Sequence, residues 1–168
     1  NGYNPHNINV VYNYIFRFNN NYLIAVGENI ISITRDSGAT WNDTIVSSID
    51  GVNILNPIIN SVYVLDDYIG LDFLNNPIEL GNIMAVGDNG IFLYSLDRGI
   101  SWKLVPTDAL NGSGTGERIY SSTSKLLDIY IEDTTSMVIT RKINDFAPAT
   151  STANANIGQF MIHYLTIP

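Results

Sequence analysis

Residues 10–18 read VVYNYIFRF, a run of β-branched and aromatic residues that partly alternates with polar ones. That is the pattern of a half-buried strand. Three more short runs of this kind follow, at 22–26, 30–34 and 41–46, with Asn- or Gly-bearing turns between them. Turns this short join antiparallel neighbours, so residues 9–46 are predicted to form a four-stranded antiparallel unit. The pattern then restarts over 60–105. A strand at 61–65 is interrupted by Asp66-Asp67 and resumes at 68–73. Asn75-Asn76-Pro77 is read as a loop, and strands at 83–86, 91–95 and 102–105 complete the unit. Over 117–168 the runs 126–131, 137–142 and 160–166 have strand composition and make a degenerate third unit. Residues 107–110 are predicted as a turn or short helix, and 111–114 and 147–156 as loops. No long amphipathic helical period occurs. The expectation is an all-β chain of one domain.

The two clear units are near-copies. Ala25-Val26-Gly27-Glu28-Asn29 recurs as Ala85-Val86-Gly87-Asp88-Asn89-Gly90. Thr34-Arg35-Asp36-Ser37-Gly38-Ala39-Thr40-Trp41 recurs as Ser95-Leu96-Asp97-Arg98-Gly99-Ile100-Ser101-Trp102. Ala25 to Ala85 is 60 residues and Asp36 to Asp97 is 61, so the added residue lies in the inner turn, where Gly90 supplies a positive φ. A repeat with a period of tens of residues points to a solenoid, propeller or array. Both motifs have the form [S/T]-x-D-x-G-x-[S/T]-W and fall between the third and fourth strands of a unit. There an Asp accepts bonds from its own turn, Gly takes left-handed backbone, hydroxyls bond locally, and Trp buries its ring with its N–H seeking a partner. At the corresponding place in the third unit the chain has only Asn144-Asp145-Phe146. Residues 126–131 are matched to the strand that carries Ala-Val-Gly.

The residues Thr34, Asp36, Gly38, Thr40 and Trp41, and Ser95, Asp97, Gly99, Ser101 and Trp102, resemble Asp-boxes, also called BNR repeats. The preceding Ala-Val-Gly strands are similar to those of photosystem II stability/assembly factor-like repeats. The resemblance implies a β-propeller of four-stranded antiparallel blades, with two clear blades and a degenerate third. That is too few for a closed ring of six or more, so the expected ring is incomplete. It also implies that the ten motif residues are structural. The family spans glycosidases, sorting receptors and assembly factors, so it fixes no activity.

Composition narrows the partners. Charged residues make up 14% of the chain and the net charge is −8, with Lys and Arg unclustered. This argues against nucleic acid and against docking on an anionic membrane. The most apolar stretch, residues 45–65, is broken by Asp50, Asn53, Asn56, Pro57 and Asn60 and is not read as a membrane span. There are no cysteines, which excludes disulfides and thiolate chemistry. The Asn-, Ile- and Tyr-rich composition favours a virion or extracellular surface setting.

Candidate chemistry is sparse. A sialidase needs a cluster of three arginines; the chain offers Arg17, Arg35, Arg98, Arg118 and Arg141, with Arg35 and Arg98 at the motif rim. Asp66, Asp67, Asp72 and Glu79 could supply a carboxylate pair or a Ca²⁺ site, but read better as a solvated loop. His6 and His163 stand alone in sequence. No catalytic, cofactor or metal residues are assigned. The expected role is a non-enzymatic binding scaffold whose partner is a protein, or other copies of itself completing the propeller. A glycan is the alternative, because ten Tyr and two Trp can stack on sugar rings.

Overall fold

The computed structural model describes residues 10–49, 51–72, 74–105, 125–131, 136–142 and 159–164. The first unit holds β1 (Tyr12–Arg17), β2 (Leu23–Gly27), β3 (Ile30–Thr34) and β4 (Asn42–Ile45). Two short strands follow, β5 (Ser48–Ile49) and β6 (Val52–Asn53). The second unit holds β7 (Ile59–Val64), an inserted hairpin of β8 (Tyr68–Leu71) and β9 (Pro77–Leu80), then β10 (Ile83–Gly87), β11 (Phe92–Ser95) and β12 (Lys103–Leu104). The third holds β13 (Lys125–Ile131), β14 (Ser136–Lys142) and β15 (Gln159–Tyr164). The described chain is all-β apart from one 3₁₀ turn at Asp88–Gly90.

Sheet order is β1-β2-β3-β4 in the first unit and β7-β10-β11-β12 in the second, antiparallel throughout. The third sheet is β13-β14-β15. Four-stranded antiparallel sheets stacked face to face in chain order are the blades of a β-propeller. Blade 1 presents Ile24, Val26, Ile31 and Ile33 to Val62, Val64, Ile83, Ala85 and Leu93 of blade 2, all buried. The other face of blade 2 sets Met84, Val86 and Phe92 against Leu126 and Ile129 of β13.

The Ala-Val-Gly repeat has a steric cause. A Cβ on Gly27 would collide with the carbonyl of Val11, and one on Gly87 with that of Ile58. Those carbonyls accept from Glu28 N and Asp88 N, both at 2.9 Å. In blades 1 and 2 the first strand therefore closes onto the end of the second only where a side chain is missing. Asn29 and Asn89 follow in left-handed backbone at φ 59 and 58, and Gly90 is at φ 68.

Three expectations change. By sequence, residues 126–131 match a second strand, but β13 is a first strand. It packs on β7 and β10 as β7 packs on β1 and β2, and its register slips at Leu127 as the others do at Asn13 and between Ile59 and Ser61. The Asn144-Asp145-Phe146 segment thus falls between a second and a third strand, where no motif belongs; it lies outside the described residues. Asn75-Asn76-Pro77 is not wholly loop, since Pro77 opens β9, and Pro is admitted at the first position of a strand. The β5–β6 pair (Ile49 opposite Val52) was not foreseen. The segments 107–110, 111–114 and 147–156 lie outside the described residues.

The slipped residue in the first strands of blades 1 and 2 staples each to the next blade. Asn13 Nδ2 donates to the Ile59 carbonyl at 3.0 Å, and Asn60 Nδ2 donates to the Leu126 carbonyl at 2.7 Å. The donors occupy equivalent positions, and so do the acceptors. Asn60 also donates to Asp88 Oδ1 at 2.7 Å, while Asp88 Oδ2 meets Lys125 Nζ at 3.2 Å. Blade 3 carries Leu127 at this position, which has no donor to offer. Asn60→Ala should cost about 1–3 kcal/mol, because it strands a carbonyl inside a blade interface. Leu127→Asn should change stability by under about 0.5 kcal/mol, since Leu127 is partly exposed. Urea denaturation of both variants checks the pair.

Candidate functional site

The two repeated [S/T]-x-D-x-G-x-[S/T]-W motifs, the boxes of this account, close their turns in the same way. In the first, Thr34 Oγ1 donates to Asp36 Oδ1 at 2.8 Å and accepts from Gly38 N at 2.9 Å. Asp36 Oδ1 also takes the Thr40 amide at 2.8 Å, and Oδ2 takes the Thr40 hydroxyl at 2.6 Å. In the second, Ser95 Oγ donates to Asp97 Oδ1 at 2.8 Å and accepts from Gly99 N at 2.7 Å. Ser101 supplies its amide at 2.9 Å and its hydroxyl at 2.5 Å. Two consecutive left-handed residues make each turn possible: Ser37 and Gly38 at φ 64 and 92, Arg98 and Gly99 at φ 61 and 83. At Gly99 a Cβ would also strike Ile33 Cδ1 of blade 1.

The hydrogen bonds keep both carboxylates ionised. The Thr40 hydroxyl, then the Thr40 amide and the Thr34 hydroxyl, bring Asp36 down from 3.8 to about 2. Burial pushes Asp97 up, but the Ser101 hydroxyl and amide and the Ser95 hydroxyl outweigh it, and its pKa is lowered.

The tryptophans diverge. Trp102 is 5% exposed and packs in the core between blades 1 and 2, while Trp41 is only half-buried. Equivalent positions face the preceding blade, and no described blade packs on that side of blade 1. Their N–H groups diverge too. Trp41 Nε1 donates to the Gly38 carbonyl at 3.2 Å, whereas the buried Trp102 Nε1 has no partner among the described residues.

The boxes meet at the rim. Arg35 lies over the Tyr22 ring at 4.4 Å, gives Nη2 to the Tyr22 hydroxyl at 3.2 Å, and donates to the Arg98 carbonyl. Burial is the main cause raising the Tyr22 pKa. Arg98 in turn pairs with Asp67, Nη2 to Oδ2 at 3.1 Å. Arg35 thus bridges blades 1 and 2, while the Arg98 side chain ties the second motif to the inserted segment of its own blade; sequence spacing revealed neither. Arg17 donates to Asn20 Oδ1 at the far end of β1. Arg118 and His6 lie outside the described residues. Arg141 is on β14, and His163 is on β15 opposite Met137.

The acidic residues are dispersed along the inserted hairpin rather than gathered in one solvated loop. Asp66 accepts from Asn82 N and, at 3.0 Å, from Asn82 Nδ2. Asp67 is taken by Arg98, and Asp72 accepts from Leu74 N and Asn76 N, both at 2.8 Å. Glu79 is on β9 opposite Ile69. Among the described residues no group of three His, Cys, Asp or Glu is placed to hold a metal ion. No helix among them is long and apolar enough to cross a membrane.

Along the first strands runs a row of rings that the sequence did not announce. Phe16 and Tyr63 have centroids 5.1 Å apart, as do Tyr63 and Tyr130. These are equivalent positions in three successive first strands. Beside them Ser61 Oγ donates to the exposed Asp128 Oδ1 at 2.5 Å.

No protein-family model and no curated relative matches the chain. Among solved structures it is similar to one titled "YCF48 bound to D1 peptide", at 18% identity and a TM-score of 0.48. The match covers 79% of this chain and 36% of that one, so the chain spans about a third of that protein's length.

Two outcomes are expected. Trp102→Ala should destabilise by about 3–5 kcal/mol, and Trp41→Ala by about 1–2 kcal/mol because less ring area leaves water. Paired denaturation curves check the order. For Asp36 the folded pKa lies below the unfolded one, so its stabilisation is complete above about pH 4 and fades as pH falls through about 2. The melting temperature should therefore drop over that window. In Asp36→Asn, which keeps an acceptor but does not titrate, the drop should be shallower.

Proposed function

We propose that the chain is a non-enzymatic β-propeller scaffold that binds another protein. One observation carries this reading. The residues with chemistry in both boxes and at the rim are spent on one another: Asp36 and Asp97 on their own turns, Asp67 on Arg98, Arg35 on Tyr22 and the next box. A sialidase-type site would need arginines free to take a substrate carboxylate. Composition favours a virion or extracellular surface setting, and an assembly-factor role would be a special case of the same protein binding.

The partner is of a different kind from a like blade. The positions Val64, Leu93 and Leu104, which blade 2 turns toward blade 1, are Arg17, Ser32 and Asp43 in blade 1. There the Tyr12 hydroxyl bonds Ser32 Oγ at 2.9 Å. A second reading, carbohydrate recognition, is favoured by the exposed Tyr14 and Tyr130 flanking Asp128, because sugar rings stack on such faces.

The test joins three assays on the purified chain. Cross-linking in the native source should yield a discrete protein adduct, a glycan array should stay silent, and sedimentation should give a monomer. Turnover of a fluorogenic glycoside, or array binding lost in Tyr130→Ala, would contradict the proposal. A ring of like copies in sedimentation would contradict a partner unlike a blade of this chain.

A further inference from the structure

Residues 65–82 stand where blade 1 has only 18–22 between its first and second strands. Insertions in repeat folds gather on one face, often the binding face. This one carries β8 and β9 as a separate two-stranded sheet, with no third strand among the described residues. Such a hairpin is marginal by itself, yet here it is built in at both ends. At its root Asp66 holds Asn82, and Asp67 pairs with Arg98 of the second box, the two side chains 9% and 13% exposed. At its tip Asp72 caps the turn.

The two faces differ. Gly70 and Leu80 share one face, so close that a Cβ on Gly70 would strike Leu80. Ile69 and Leu71 share the other at 64% exposure each, and Leu74 at the tip is 66% exposed. Aliphatic side chains held out on a braced hairpin mark an interaction surface, and its unpaired edges accept another strand. Between Tyr68 and Leu80 the sequence contains Asp72 and Glu79 and no Lys or Arg. Hydrogen bonds from the Asn76 amide and side chain lower the Asp72 pKa and keep it charged.

We propose that the β8–β9 hairpin is the docking element of this chain, and that its occupant is an extended segment of a partner protein. The segment alternates apolar residues, which meet Ile69 and Leu71, and carries Lys or Arg at a flank, which meets Asp72. This rests on the protein-binding reading above and gives it a surface and a partner chemistry.

A random peptide-display library selected on the immobilised full chain tests it. Enriched peptides should alternate apolar and polar residues and carry a basic flank. Their affinity should fall about tenfold or more for the double variant Ile69→Lys, Leu71→Lys. It should fall about two- to fivefold for Asp72→Asn, which keeps the turn acceptor and removes the charge. The wild-type melting temperature should be retained; if the double variant melts early, Leu74→Ser is read in its place. Peptides that bind the variants equally well overturn the hairpin proposal and leave the scaffold reading standing. No enrichment overturns both. An oligomer that the double variant converts to monomer makes the occupant a second copy and overturns the partner segment.

Discussion

The Asp97 carboxylate receives the Ser95 hydroxyl and both the amide and hydroxyl of Ser101, so the turn between β11 and β12 closes on itself. Asp36 does the same between β3 and β4. These closures hold each fourth strand against the third. They also aim the following Trp, and the backbone of the second box is what Arg35 of the first takes hold of. A neutral side chain here would accept fewer bonds, and charge-assisted bonds are the strong ones. Because the ring of donors belongs to the turn, the lock works at an exposed rim where an ordinary surface ion pair contributes little.

From these rims inward, the blades are joined by a small set of repeated contacts. Aliphatic faces form the bulk of each interface. Arg35 ties the outer ends, and Asn13 and Asn60 tie the inner strands. The two kinds of tie stop one blade apart, the arginine tie after the interface of blades 1 and 2 and the asparagine tie after that of blades 2 and 3. Leu96 stands where Arg35 does in the first box, and Leu127 where Asn13 and Asn60 do. On the opposite side Arg17, Ser32 and Asp43 replace the aliphatic residues that would receive a blade. The asparagine ties satisfy the carbonyls they reach, whereas Arg35 keeps its buried Nε without a partner among the described residues; on the proposal above, recognition falls to the inserted hairpin.

Much of this was legible in the sequence. The boxes could be read because every residue in them serves one local turn, so the pattern survives in a window of eight residues. The Ala-Val-Gly glycines repeat because a neighbouring carbonyl leaves no room for a Cβ, a constraint that spacing does reveal. What was missed depends on distant partners. The blade staples rest on single asparagines whose acceptors lie 46 and 66 residues away. Residues 126–131 look like any apolar strand, and only packing on β7 and β10 makes them a first strand. The hairpin escaped because Asn75-Asn76-Pro77 reads as a plain loop, although Asn75 takes left-handed backbone at φ 62 and Pro77 begins a strand.

Amide hydrogen exchange by NMR tests the turn lock most directly, because exposure and protection diverge there. Thr40 and Ser101 are exposed residues, and an open loop would exchange their amides quickly. If the carboxylates hold the turns as described, the amides of Gly38, Thr40, Gly99 and Ser101 will be protected to the level of the β3 and β11 strand amides. Exchange of these four amides at the rate of an unstructured loop would contradict the account.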